Sequence, residues 1–170
     1  MTEPTTTSAM ASILPGIFGL AGVVLGALLT QLREILQRRK RHLSYWSALS
    51  AEVDLCHGFA MAYENDPVQS PLYRLPTLAY EKGFLALLAD GATTENEAHC
   101  ILRFYGQVLQ INRGLEYAHA GRNDPKTLAL EESRLKLKTK NLIDPNCTDP
   151  GGPYYSAVRG AIDRRVKRRL

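Results

Sequence analysis

Between Glu3 and Arg33 the chain carries no Lys, Arg, Asp or Glu, and this uncharged run constrains its folding more than any other feature. The core of the run, ASILPGIFGLAGVVLGALLT, covers residues 11–30. At about 1.5 Å of rise per residue, a helix of that length matches the roughly 30 Å of hydrocarbon in a bilayer. The pattern predicts a transmembrane helix over residues 11–32. A cleaved signal peptide is the competing reading, and it requires a basic start and small residues before a cleavage site. MTEPTTTSAM contains no Lys or Arg, and the run passes into LLTQLREIL without such a site, so an uncleaved anchor is expected. The Thr-rich residues 1–10 read as a disordered tail.

The charges that follow would orient the anchor. Arg33 and the cluster Arg38, Arg39, Lys40, Arg41 lie close behind the run, where basic residues mark the cytoplasmic side. The expectation is a single-pass protein of the inner (cytoplasmic) membrane, N-terminus out and C-terminus cytoplasmic. Within the run, Gly19, Gly22 and Gly26 share one helical face. Gly22 and Gly26 form a small-xxx-small pair that allows close approach of another helix, although glycine is also common in transmembrane helices generally.

The 170 residues suffice for one domain beside an anchor. The formal net charge of +4 is unevenly placed. Basic residues crowd 33–41 and the tail after Val158, so the body between them is net acidic. Two basic ends around an acidic body favour an anionic surface such as lipid over nucleic acid. Cys56, Cys100 and Cys147 are odd in number and lack paired spacing, which argues against a disulfide framework.

After residue 32 the periodicity is helical throughout. Leu32, Ile35, Trp46, Leu49, Val53, Cys56, Ala60 and Tyr63 keep a three-to-four spacing, so the first helix is expected to continue to about Glu64. Asn65-Asp66-Pro67 ends it, and a proline-rich loop reaches Pro76, which suits a first helical position. The next helix runs to Gly91, a C′ glycine. Thr94-x-x-Glu97 is a capping box for a helix reaching Gly121. Asp124-Pro125 opens another, and Tyr154 begins a last, basic one. The expected fold is all-α, with the transmembrane helix continuing into an antiparallel cytoplasmic helical bundle over residues 33–145. Residues 146–170 form a linker and a basic amphipathic C-terminal helix.

On the Thr94–Ala120 segment, Ala98, Ile101, Leu102, Tyr105, Val108, Leu109, Asn112 and Leu115 mark the expected buried face. Tyr105, Asn112 and His119 recur every seven residues along it. They read either as register-fixing polar groups or as the polar lining of a ligand pocket. Tyr73 and Arg74 stand amid apolar residues, as a lid paired to an acid such as Glu81 or as a partner patch. In the tail, Val158, Ile162, Val166 and Leu170 line one face, while Arg159, Arg164, Arg165, Lys167, Arg168 and Arg169 crowd the rest, a pattern suited to anionic lipid. Cys56-His57 and His99-Cys100 resemble zinc ligands, but adjacent helical residues diverge by about 100°. Chelation would need the pairs to meet across helices, and no metal or cofactor is expected.

WSALSAEVDL, LPTLAYEKGFLALLADG and FYGQVLQINRGLE carry a resemblance to small bacterial single-pass proteins with a helical cytoplasmic domain. The resemblance spans roughly residues 11–120. It implies an anchored helical domain with Tyr105 and Asn112 on its central helix, and no catalytic residue to inherit. The expected function is non-enzymatic: a membrane-anchored interaction or regulatory module with lipid and a protein partner or second copy as contacts. The alternative is a membrane-acting effector or ligand sensor that oligomerises through its anchor.

Overall fold

The computed structural model describes residues 7–67, 72–120, 124–147 and 152–167; for residues 7–21 and 167 it describes the backbone alone. The described residues are helical with no strand. Helix α1 spans Thr7–Asn65. A single π-helical turn, Tyr80–Phe84, leads into the short α2, Leu85–Ala89. Helices α3 (Glu95–Ala120), α4 (Pro125–Ile143) and α5 (Tyr154–Lys167) follow. The chain divides into two compact units, Met1–Arg41 and His42–Leu170.

The expected membrane-spanning helix, and with it the single-pass inner-membrane location, is overturned. Among the described residues no helix is long and apolar enough to cross a membrane. The physical reason lies in where the charges fall along α1. The helix does not stop after its apolar run: Arg33, Glu34 and the cluster Arg38, Arg39, Lys40, Arg41 follow within the same α1, and the described side chains from Gly22 to Leu32 are exposed. Residues 1–6 of the expected disordered tail lie outside the described residues, and Thr7–Met10 are helical. The surroundings of Gly19 are likewise outside them. Gly22 and Gly26 have nothing within 4 Å of where a side chain would begin. The Thr30 hydroxyl bonds back to the Gly26 carbonyl at 2.9 Å within the helix.

The second unit is a helical bundle around one core. On α1, Trp46, Leu49, Val53, Cys56 and Ala60 are buried in the expected three-to-four stripe. They meet Leu75, Phe84 and Leu87, then Ile101, Phe104, Tyr105, Val108 and Ile111 of α3, with Leu135, Leu142, Val158 and Ile162 completing the cluster. On α3 the buried face is turned from the expected one. Phe104 and Ile111 are sealed, whereas Leu102 is 47% exposed and Leu109 is 37% exposed. The rotation follows from α3 packing against both α4 and α5. Gly114 permits the α3–α4 approach, because a Cβ there would stand 2.8 Å from Leu135 Cδ2.

Local signals in the sequence set most helix ends. Thr94 and Glu97 form the reciprocal box: the Thr94 amide donates to Glu97 Oε2 at 2.8 Å and the Glu97 amide to Thr94 Oγ1 at 3.4 Å. Asp124 accepts from the Lys126 amide, with Pro125 at the first helical position. Gly91 takes a left-handed φ of 62°, and the Ala92 amide reaches back to the Leu87 carbonyl at 2.8 Å, the closure for which a C′ glycine is suited. One end departs from expectation. The helix after Pro76 begins two residues later, at Leu78, because its first free amides are taken by a side chain from α1.

Candidate functional site

That side chain is Glu52. Its carboxylate is buried, and Oε2 accepts the Ala79 amide at 2.7 Å. Oε1 accepts the Tyr80 amide at 3.1 Å and the Tyr105 hydroxyl at 2.8 Å. The first amides of a helix lack intrahelical partners, so an anion there is well placed. The Tyr105 hydroxyl is pushed up from its ordinary range by burial and then by this bond to Glu52. Tyr80 stacks on Tyr105 with ring centroids 4.3 Å apart, and Phe104 meets Tyr105 edge-on. Beside them the Cys56 thiol is pushed up to about 12, by burial first and by Glu52 second. It donates to the Pro76 carbonyl at 3.5 Å. A thiol so placed stays protonated near neutral pH and is a poor nucleophile.

The next connection upstream is held in the same manner. Asn112 of α3, only 3% exposed, grips Leu75 from both sides of its peptide unit. The Leu75 amide donates to Asn112 Oδ1 at 2.8 Å, and Asn112 Nδ2 donates to the Leu75 carbonyl at 2.9 Å. Left unpaired, a buried polar group costs about 1–3 kcal/mol. The pairing fixes the extended segment Leu72–Pro76 against α3 and sets the height of the residues that precede it.

Those residues roof a groove. It has a volume of about 580 Å³ and runs between the 72–74 segment, the C-terminal half of α3 and the first turns of α4. Leu72, Leu115, Ala118 and Leu128 supply its apolar surface. Tyr73, Arg74, Asn112, Glu116, His119 and Glu132 supply its polar groups. Arg74 pairs with Glu116 at 3.6 Å rather than with Glu81, which instead accepts the Thr77 hydroxyl. Tyr73 is 69% exposed on the rim.

Four of the residues singled out in the sequence therefore come together: Asn112, His119, Tyr73 and Arg74. Tyr105 does not join them, since it points into the core against Glu52. Glu52 itself escaped notice in the sequence, as did Leu128 and Glu132 on α4. A signal for Glu52 existed: a carboxylate three residues after Leu49 and next to Val53 falls on the apolar stripe of α1.

The C-terminal basic residues divide differently. Arg165 binds Glu97 through two bonds of 2.7 Å, and its guanidinium lies 6.0 Å from the Trp46 ring centroid. Burial alone would raise the Glu97 carboxyl. The bonds from Arg165 and from Thr94 outweigh it and hold the group at about 2. Arg159 contacts Ser50, Asp54 and Asp163. The Tyr155 ring stacks on His57 at 3.8 Å, and its hydroxyl donates to Asp54 at 3.1 Å. Arg164 donates to the Gly160 carbonyl of its own helix. Helix α5 thus packs as a wall of the bundle, with Arg159 held by Ser50 and Asp54 of α1 and Arg165 by Glu97 of α3. The Lys167 side chain, Arg168 and Arg169 lie outside the described residues.

Among the described residues, no group of three or more His, Cys, Asp or Glu side chains gathers to hold a metal ion. No protein-family model, curated protein or solved structure matches the chain, so the groove and its chemistry are what a functional reading must stand on.

Proposed function

We propose that this protein is a non-enzymatic binding and regulatory module, whose helical body receives an apolar ligand in the groove under Tyr73 and Arg74. The observation that carries the reading is the groove itself. A cleft of about 580 Å³ with apolar walls and a few convergent polar groups has the size and character of small-molecule sites. An enzymatic reading has less support. Tyr105 and Cys56, with their strongly raised hydroxyl and thiol, are sealed in the core and do not line the cleft.

The test fills the cleft. Wild-type protein is expected to enhance the emission of a neutral apolar dye such as Nile red. Ala118→Phe, which places a ring in the groove from a half-buried position on α3, should abolish the enhancement with the fold intact by circular dichroism. Dye binding that is indifferent to Ala118→Phe would refute this use of the groove.

A second reading, docking of a protein partner or of another copy, draws on a different surface. An open groove, also about 580 Å³, lies between α1 and the π-helical turn, lined by Tyr45, Ala48, Ala51, Leu55, Pro76 and Leu78. Leu55 and Leu78 are more than half exposed there, and clustered exposed apolar side chains mark interaction surfaces. Sedimentation velocity checks the self-association form. A dimer of wild type that becomes monomeric in Leu55→Glu, Leu78→Glu favours it, and a wild-type monomer over the accessible concentration range removes it.

A further inference from the structure

The charge within the groove under Tyr73 is unbalanced. Two carboxylates, Glu116 of α3 and Glu132 of α4, share it with Arg74 and the His119 imidazole. Arg74 stands 3.6 Å from Glu116. Glu132 has no ion-pair partner among the described residues. A further carboxylate, Glu64, stands next to Tyr63 at the end of α1 and does not line the groove. The Tyr63 hydroxyl is raised by burial, then by Glu132, then by Glu64, so both acids act on one phenol at the end of α1. Glu64 Oε2 is buried and accepts no hydrogen bond. A carboxylate oxygen in that condition is costly, and a nearby cation lowers the cost. On the rim, the exposed Tyr73 ring offers a face of the kind that attracts ammonium and guanidinium groups.

We propose that the groove selects an organic cation, whose charged head meets Glu132 while its hydrocarbon body covers Leu72, Leu115, Ala118 and Leu128. The inference rests on the reading of this groove as the ligand site and adds the sign of the ligand's charge. Arg74 does not oppose it, because Glu116 answers its charge. A carboxylate ligand, in contrast, would meet two carboxylates, Glu132 and Glu116, against the one guanidinium of Arg74. The neutral Asn112 amide at the base of the groove adds no charge of either sign.

Calorimetric titration at low salt with three probes of matched body tests this: phenylbutylammonium, phenylbutanol and phenylbutyrate. The ammonium should bind about tenfold more tightly than the alcohol, a ratio typical of one partly desolvated charge pair, and the carboxylate should bind weakest. Glu132→Gln, a substitution at an exposed position, should bring the ammonium to the affinity that the alcohol shows for the same variant. Equal binding of ammonium and alcohol, or a preference for the carboxylate, would overturn the cation assignment while leaving an apolar ligand site in place. A preference for ammonium that persists in Glu132→Gln would overturn the role of Glu132. Failure of all three probes to bind would remove both the cation assignment and the ligand site.

Discussion

Replacing Glu52 with glutamine should destabilise the protein by about 3 kcal/mol, although the two side chains have nearly the same shape. The carboxylate answers three donors with two oxygens: the amides of Ala79 and Tyr80 and the hydroxyl of Tyr105. Glutamine keeps one acceptor oxygen and turns an NH2 group towards a donor, so at least one buried N–H loses its partner. Hydrogen bonds to a charged acceptor contribute about 1.5–3 kcal/mol each, and an abandoned donor adds its desolvation cost. For a chain of this length the melting temperature should fall by about 10 °C. Tyr105→Phe should cost less, about 2 kcal/mol, because the carboxylate then loses one bond and retains both amides. The Cys56 thiol supplies an independent readout. It is buried beside Glu52 and held up at about 12, so a thiol reagent at neutral pH should leave it unlabelled in the wild type. In Glu52→Gln, loosening of the turn over it should open Cys56 to labelling, whereas the half-exposed Cys100 and Cys147 label in both proteins. A melting temperature within about 2 °C of wild type, with Cys56 still protected, would show that Glu52 does not hold this turn.

Acidification should release α5 by breaking one ion pair. Glu97 sits at about 2 in the folded protein against an ordinary 4.5, through its bonds to Arg165 and Thr94. A carboxyl depressed in this direction binds its proton more readily in the unfolded chain. Its contribution is complete above about 4.5 and is lost as the pH falls from there towards 2. The full linkage is worth about 3 kcal/mol, and screening at the partly exposed Arg165 reduces the expected share to about 2 kcal/mol. At neutral pH, Arg165→Leu should therefore be less stable than wild type by about 2 kcal/mol, and the gap should close as the pH approaches 2. Trp46 is the sole tryptophan and lies beside Arg165. Its emission should shift to longer wavelength as α5 detaches in acid, before the helical circular dichroism signal is lost. A stability gap that stays constant from neutral pH down to pH about 2 would mean that the pair does not fasten α5.

Both predictions concern contacts between residues distant in sequence, and the same distinction separates what was legible from what was not. The α1 stripe of Trp46, Leu49, Val53, Cys56 and Ala60, the Thr94–Glu97 box, the Asp124–Pro125 start and the Gly91 stop could all be read from the residues. Each is decided within a few positions, by helical periodicity or by a side chain bonding to backbone two or three residues away. The all-helical character and the approximate course of every helix were determined at that level.

The uncharged run before Arg33 shows the limit of such reading. Helical periodicity places the end of this helix near Glu64, and α1 does end at Asn65, whereas hydropathy over a window does not by itself establish a membrane span. In the structure α1 continues through Arg33, Glu34 and the basic cluster to Asn65, and no described helix is apolar enough to span a membrane.

Tertiary structure alone decided the rest. Glu52 caps a helix that starts 26 residues further along, and Arg165 answers a carboxylate 68 residues before it. Asn112 clamps a peptide unit 37 residues upstream. No local pattern encodes which of several acids an arginine will find, because that choice depends on which helix faces are brought together. Packing of α3 on two neighbours turned its buried face from Leu102 and Leu109 to Phe104 and Ile111. The same packing sent Tyr105 into the core and left Asn112 and His119 to meet Tyr73 and Arg74 at the groove. Composition and spacing thus determined the helices and their ends. The site exists only where the close packing of α3, α4 and the 72–76 segment brings its residues to one place.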